Sequence, residues 1–206
     1  MICISPAKPL ITPVTSKAEI REIQRFRYKI LSEEFHLDSV DGIDHRRRII
    51  GDSLDEKLSL FAAYAGGRLV GTIRCGPVSS MTQRPSALQK ALASGFGAGY
   101  RTDQLGVCDR LAIASEHRGI WLNLELSTAA CHNLLRKGCK ACFCWARPRL
   151  CRLYHRLGFH DMGILTDGNP NGIRRVMRLE VSDLEHLRKV GSPFQEILET
   201  VASNHG

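Results

Sequence analysis

Val107-Cys108-Asp109-Arg110-Leu111-Ala112-Ile113, followed by Ala114-Ser115-Glu116-His117-Arg118-Gly119 and then Ile120-Trp121-Leu122, is the stretch on which the reading of this chain turns. Leu105 to Ile113 is apolar enough for a buried strand, and Trp121 to Lys137 has helical spacing, with Gly138 as a natural stop. A strand, a short turn carrying Arg-Gly and a helix start together make an anion site. The free amides of the first helical turn and the positive end of the helix dipole both point at a ligand there. On its own, the same arrangement also serves as an ordinary structural turn.

Upstream, Leu10 to Val14 is a strand candidate. Ser16-Lys17-Ala18-Glu19 reads as a capping box, and Ile20, Ile23, Arg27, Ile30 and Leu31 continue at helical spacing. This predicts a helix over residues 17–35. Residues 36–57 are polar, include Arg46-Arg47-Arg48, and read as a loop with a short helix. Leu58 to Ala65 and Arg68 to Val78 are strands joined by Gly66-Gly67, a hairpin signal. Residues 79–104 read as an insertion with a helix over Pro85–Ser94.

Downstream, Ala141 to Ala146 is a strand and Arg149 to Leu157 a short helix ending at Gly158. Phe159 to Leu165 and Arg174 to Val181 form a last strand pair. Ser182 and Ser192-Pro193 can each start a C-terminal helix. The order is that of a mixed α/β domain rather than a regular βα alternation. We expect one domain over residues 1–181, with residues 182–206 as a helical extension packed on it.

The chain has 206 residues and a hydrophobic fraction of 43%, enough to build a sizeable core and too much for a disordered chain. No apolar run approaches the roughly 18 residues that cross a bilayer. Lys and Arg number 29 against 21 Asp and Glu, a net charge of +8. Such a balance suits anionic partners: phosphates, an acidic protein surface or nucleic acid. Arg46-Arg47-Arg48 is short and comes with no nucleic-acid recognition motif, so nucleic acid is not expected as the partner.

Met1 to Val14 lacks the pattern of a secretory signal. A cytoplasmic location is therefore expected, and the eight cysteines are expected to be reduced, mostly as small core residues. Cys139, Cys142, Cys144 and Cys151 lack two clean Cys-x-x-Cys pairs, so no metal is expected. His132, His155 and His160 are expected at the surface or in packing roles.

A second signal is Leu153-Tyr154-His155-Arg156-Leu157-Gly158-Phe159. Together with Arg110-Leu111-Ala112-Ile113 and Arg118-Gly119, in this order and spacing, it resembles the GCN5-related N-acetyltransferase (GNAT) superfamily. The resemblance covers about residues 8–181. It implies a central, mixed, mostly antiparallel sheet flanked by helices.

Phe26-Arg27-Tyr28-Lys29-Ile30 with Glu33-Glu34, and Val70-Gly71-Thr72-Ile73-Arg74, are similar to segments of one branch of that superfamily: the long-chain N-acyl amino acid synthases and the acyl-homoserine lactone synthases. Asp41 and Asp44 fall where that branch has paired acids. Pro148-Arg149-Leu150 is also similar to the amino acid synthases. Val107 stands where the lactone synthases carry a glutamate, which argues against lactone chemistry.

The resemblance implies direct transfer of an acyl group from a phosphopantetheine thioester to an amine, with no permanently bound cofactor. Leu111, Ala112 and Ile113 would polarise the thioester carbonyl. Arg118, Gly119, Ile120 and Trp121 would meet the donor. Tyr154 would protonate the leaving thiolate, the alternative being an aromatic packed beside Phe159. Asp109, Glu34 and Asp44 are candidate bases, each equally an ion-pair partner.

Asp44 with Arg74, or Asp41 with Arg27, could pair across an acceptor pocket. Arg27, Arg74 or Arg110 could hold an amino acid carboxylate, and Arg74 and Arg110 are favoured as parts of an interior polar network. Trp121 and Asn123 occupy the glycine positions of a usual coenzyme A loop. A tryptophan there obstructs close approach of a diphosphate and favours pantetheine presented on an acyl carrier protein, an acidic partner for a basic chain. Arg118, Arg147, Arg149, Arg152 and Arg156 are its candidate contacts.

Ala87, Leu88, Ala91, Leu92 and Phe96, with Leu184, Leu187, Phe194, Ile197 and Leu198, read as a tunnel wall for an acyl chain or as ordinary helix packing. The expected activity is fatty N-acyl transfer to an amino acid or peptide side chain. A short-chain acetyl-CoA-dependent acetyltransferase and a non-catalytic acyl-thioester-binding protein are the alternatives.

Overall fold

The computed structural model describes residues 8–38, 40–81, 84, 86–95, 97–165, 172–197 and 199. Its strands are β1 (Leu10–Pro13), β2 (Ile43–Asp44), β3 (Ile49–Ile50), β4 (Ser59–Ala65), β5 (Arg68–Pro77), β6 (Leu105–Ile113), β7 (Ala141–Ala146), β8 (His160–Leu165) and β9 (Arg175–Glu180). Its α-helices are α1 (Lys17–Tyr28), α2 (Ser86–Ala93), α3 (Ile120–Arg136), α4 (Cys151–Arg156) and α5 (Leu184–Val190). Seven strands form one mixed sheet in the order β1-β4-β5-β6-β7-β9-β8, and β2 with β3 makes a small hairpin. The β6–β7 pair is parallel, with Leu105 to Val107 opposite Ala141 to Phe143. The β1–β4, β7–β9 and β8–β9 pairs are antiparallel.

By its contacts the chain divides into two compact units: residues 1–74 with 110–131, and 75–109 with 132–206. In the first, Ser16 and Glu19 make the expected capping box at the start of α1. Ile23 of α1 is buried with Leu60 and Ala62 of β4, and Val14, Ile20, Tyr64 and Leu69 pack around them. Their alternation along β4 and their spacing on α1 place one apolar stripe on one apolar face. The helix does not stay α throughout the expected 17–35 span. It becomes a π-helix over Lys29–Glu34, a geometry that widens the turn and re-aims side chains. Gly71 leaves room for α3: a Cβ there would lie 3.0 Å from Leu126 and 3.3 Å from Leu122.

In the second unit, β7, β9 and β8 carry a core containing Phe143, Val176, Met177 and Leu179. Leu88 and Ala91 of α2, Leu187 of α5 and Phe194 are fully or almost fully buried, so these members of the suspected tunnel wall are packed core. The Ala87 side chain, Phe96 and Leu198 lie outside the described residues. The cap of α5 is Asp183, whose carboxylate accepts from the His186 amide, and not the expected Ser182. Ser192 Oγ donates to the Leu157 carbonyl at 2.6 Å and accepts from the Phe194 amide, tying the segment after α5 to the end of α4.

Gly158 is where this packing is tightest. It sits at φ +99°, and a Cβ there would stand 2.3 Å from Leu187 Cδ2. Gly158→Ala therefore combines a disfavoured backbone conformation with overpacking. It should lower the unfolding free energy by at least about 2 kcal/mol in a urea titration.

Candidate active site

The first unit holds a buried polar cluster. Arg27 reaches in from α1, Arg74 from β5 and Arg110 from β6. Two carboxylates meet them: Asp52, which caps a single 3-10 turn over Ser53–Glu56, and Asp55 within that turn. That turn forms because Asp52 caps it, accepting from the Leu54 amide at 2.9 Å, while Asp55 reaches back to the Asp52 amide. Both acids are thereby presented to the arginines.

Asp55 Oδ1 accepts from Arg27 Nη1 at 2.8 Å and from Arg74 Nη1 at 2.9 Å. Its other oxygen accepts from Gln24 Nε2 at 3.1 Å. Asp52 accepts from Arg74 Nη1 at 2.6 Å and from Arg110 Nη2 at 2.9 Å, and Arg110 Nη2 also donates to the Asp41 carbonyl. Arg27 and Asp55 are wholly buried, whereas the Asp52 side chain is 30% exposed and that of Arg110 11%. The cluster is thus accessible from the Asp52–Arg110 side.

Burial works against the charge of Asp52, but Arg74 and Arg110 outweigh it and hold its pKa at about 2. Asp55 is also lowered, burial being opposed chiefly by Arg27. Burial lowers Arg27, and Asp55 opposes that shift. Among the described residues, three guanidiniums of this cluster face two carboxylates, one positive charge in excess. Nε and Nη2 of Arg27, the side-on fork that pairs with carboxylates, are buried without a hydrogen-bond partner, as is Thr72 Oγ1.

The expected side-chain pairings do not form. Asp44 accepts from the Arg47 amide at 2.9 Å and lies 3.7 Å from Arg47 Nε, closing the β2–β3 turn instead of meeting Arg74. Asp41 gives its backbone carbonyl to Arg110, and among the described residues its side chain does not pair with Arg27. The true partners, Asp52 and Asp55, were not singled out in the sequence. Their signal is the Asp-x-x-Asp spacing of a capping box just before a strand.

Arg110 is in the left-handed region at φ +56°, in the interior of β6. A non-glycine residue there is strained. Leu111, Ala112 and Ile113 follow it to the end of the strand, and the Ala114 amide donates to the Val70 carbonyl. A 3-10 turn over Ser115–His117 then leads to Arg118, Gly119 and α3.

Arg118 is anchored within its own unit. Nε donates to the Ile113 carbonyl at 3.0 Å, Nη2 pairs with Glu34, and the guanidinium lies 4.4 Å from the centre of the Phe35 ring. The candidate base Glu34 is therefore engaged by a candidate donor residue. Trp121 is 54% exposed at the start of α3, with Lys8 Nζ 5.0 Å from its ring centre. No atom lies within 4 Å of a Cβ built on Gly119. The Ile120 side chain lies outside the described residues.

Tyr154 belongs to the second unit. Its ring meets Phe159 edge-on at 5.4 Å. Burial, then the neighbouring thiols of Cys144 and Cys108, push its pKa well above the usual phenol range. The hydroxyl is thus held as a proton donor. The Cys108 and Cys142 sulfurs are 3.6 Å apart. Hydrogen bonding and burial raise the thiols of Cys75 and Cys108, and burial raises Cys144. None of these is a ready nucleophile. Among the described residues, no group of three or more His, Cys, Asp and Glu could hold a metal ion. Asp109 is almost fully buried on β6.

A family model described as acetyltransferase (GNAT) family matches residues 19–159. The chain belongs to that family. It is a GNAT-type acyltransferase. Among curated proteins, no match is found. Among solved structures, a CoA-dependent acyl-homoserine lactone synthase, BjaI, with SAM and isopentyl-CoA, is 20% identical. It covers 90% of each chain with a TM-score of 0.65. FeeM, an N-acyl amino acid synthase from uncultured soil microbes, is 15% identical over 94% of this chain and 99% of its own, TM-score 0.62. ElaA from Escherichia coli is 14% identical over 84% of this chain and 99% of its own, TM-score 0.57. At such identities the likeness establishes the fold of this GNAT protein.

Two outcomes follow from the cluster. Asp55→Ala leaves the buried Arg27 guanidinium without its carboxylate, while Arg74 keeps Asp52, and should cost about 3–5 kcal/mol in chemical denaturation. Asp52 has a folded pKa below the unfolded value near 4. Its contribution is therefore complete above about pH 4 and is lost as the pH falls toward 2. Asp52→Asn should flatten that acid limb of the stability profile.

Proposed function

We propose that this GNAT enzyme transfers a fatty acyl group from a phosphopantetheine thioester, presented on an acyl carrier protein, to the amine of an amino acid or of a peptide side chain. The observation that carries the acceptor assignment is the excess positive charge of the Arg27–Asp55–Arg74–Asp52–Arg110 cluster. An acceptor bearing a carboxylate neutralises it. Arg110, the accessible guanidinium, is the contact, and Arg27 and Arg74 supply charge behind it.

The donor assignment rests on α3. Free first-turn amides suit a single phosphate. The half-exposed Trp121 ring and the anchored Arg118 leave less of the usual loop for a diphosphate. A pantetheine arm with one phosphate asks less of that loop than coenzyme A does. Leu111 to Ile113 supply backbone amides to the thioester carbonyl.

In the proposed step, the acceptor amine loses a proton to Asp109, directly or through water, and attacks the carbonyl carbon. The C–N bond forms and the C–S bond breaks. The thiolate takes the Tyr154 hydroxyl proton.

A donor panel read by mass spectrometry tests this reading. Acetyl-CoA, palmitoyl-CoA, and short- and long-chain acyl carrier proteins are offered with an amino acid and peptide mixture. Long-chain transfer from the carrier is expected, and efficient turnover with acetyl-CoA alone overturns it. Tyr154→Phe should lower kcat about 10²-fold or more. Because the Tyr154 hydroxyl is held protonated, wild-type kcat should show no alkaline loss from this group up to pH 10. Arg110→Met should raise the KM of a carboxylate-bearing acceptor more than that of a simple alkylamine.

A further inference from the structure

The outer face of α1 carries a basic stripe that neither the capping of the helix nor its core explains. Lys17, Arg21, Arg25 and Lys29 recur every four residues and are all exposed. Residues at that spacing lie along one side of a helix. Ile23 and Arg27 fill the buried face, so the stripe faces solvent. Arg21 and Arg25, with Gln24, Arg47 and Ile49, line an open groove of about 520 Å³ between α1 and the β2–β3 hairpin. Lys17, Arg21, Arg25 and Arg46 form no ion pair among the described residues, Arg47 is shared only with Asp44 at 3.7 Å, and Arg48 is paired with Glu33.

The stripe has a direction. Arg21 and Lys29 are separated by about 12 Å along the helix axis. Lys29 opens the π-helix whose last residue, Glu34, grips Arg118 just ahead of α3. The basic face therefore leads, within one compact unit, from a groove to the helix start where the donor's phosphate is proposed to sit.

We infer that the Arg21–Arg25–Arg47 groove and the α1 stripe are the docking face for an acidic helix of the donor carrier protein, placing its pantetheine arm at the start of α3. This rests on the carrier-donor reading above and adds the face that recognises the carrier. It places recognition on α1 and the hairpin rather than on Arg147, Arg149, Arg152 and Arg156. A folded acidic helix matches the single-sided four-residue spacing. Charges on an exposed rim act mainly on association rate and its salt dependence.

The test compares wild type with Arg21→Glu/Arg25→Glu/Arg47→Glu, using palmitoyl carrier protein and palmitoyl-pantetheine as donors. The reversal should reduce kcat/KM for the carrier at least tenfold and flatten its salt dependence. Turnover of palmitoyl-pantetheine should stay unchanged, which also shows that the variant is folded. Arg21→Gln/Arg25→Gln, a milder change, should give a smaller loss of the same kind. Unaltered carrier kinetics in the reversal variant overturn the docking face and leave the carrier-donor reading standing. A wild type that ignores every carrier but uses acyl-CoA overturns both. Binding of a short DNA duplex at physiological salt, abolished by the reversal while carrier turnover persists, assigns the face to nucleic acid and overturns the inference.

Discussion

A carboxylate with no exposure cannot remain ionised unless positive charge meets it, and Asp55 is met by two guanidiniums. Much of the first unit is arranged around that requirement. Arg27 must come from the inner face of α1, which fixes the rotation of the helix over β4. Arg74 must come from the face of β5 opposite the one Gly71 gives to α3. The 3-10 turn must present Asp52 and Asp55 together, which its own capping pattern achieves. The cluster is expensive to desolvate and weak as a source of net stability. Its value is positional: it holds three elements and the strained Arg110 in one register.

The elements with strong local signals were legible in the sequence. The Ser16–Glu19 box, the Gly66-Gly67 hairpin, and the β6 and β7 bounds follow from capping, turn chemistry and apolar runs, each decided within a few residues. The cluster was only half legible. Arg27, Arg74 and Arg110 stood out through their motifs, but their partners did not. An aspartate pairs according to where a loop carries it, and residues 36–57 have no periodicity to reveal that. Asp41 and Asp44 sat at plausible positions, yet the β2–β3 hairpin turned them to other work. The π-helix at Lys29 and the positive φ of Arg110 were equally hidden. Both are local departures set by tertiary fit, not by propensity.

The donor side shows the opposite balance. The strand–turn–helix around Arg118 and the Tyr154 segment were readable as motifs, and both lie in the stretch that the acetyltransferase family model matches. What the motif could not convey is that Arg118 is already committed to Ile113, Glu34 and Phe35. An arginine in a ligand-binding signature can act as a strut for the loop, leaving ligand contact to backbone amides. Glu34 is then better described as the other half of that strut than as a base.

The thiols of the second unit have a practical side. Cys75, Cys139, Cys142 and Cys144 are buried and Cys108 is close to it. Burial and mutual hydrogen bonding keep the Cys75, Cys108 and Cys144 thiols in their unreactive protonated form. Electrophilic labels attack thiolates, so modification at these sites has to wait for the strands around them to separate. The cysteines thus serve as reporters of local opening, silent while the strands around them stay closed.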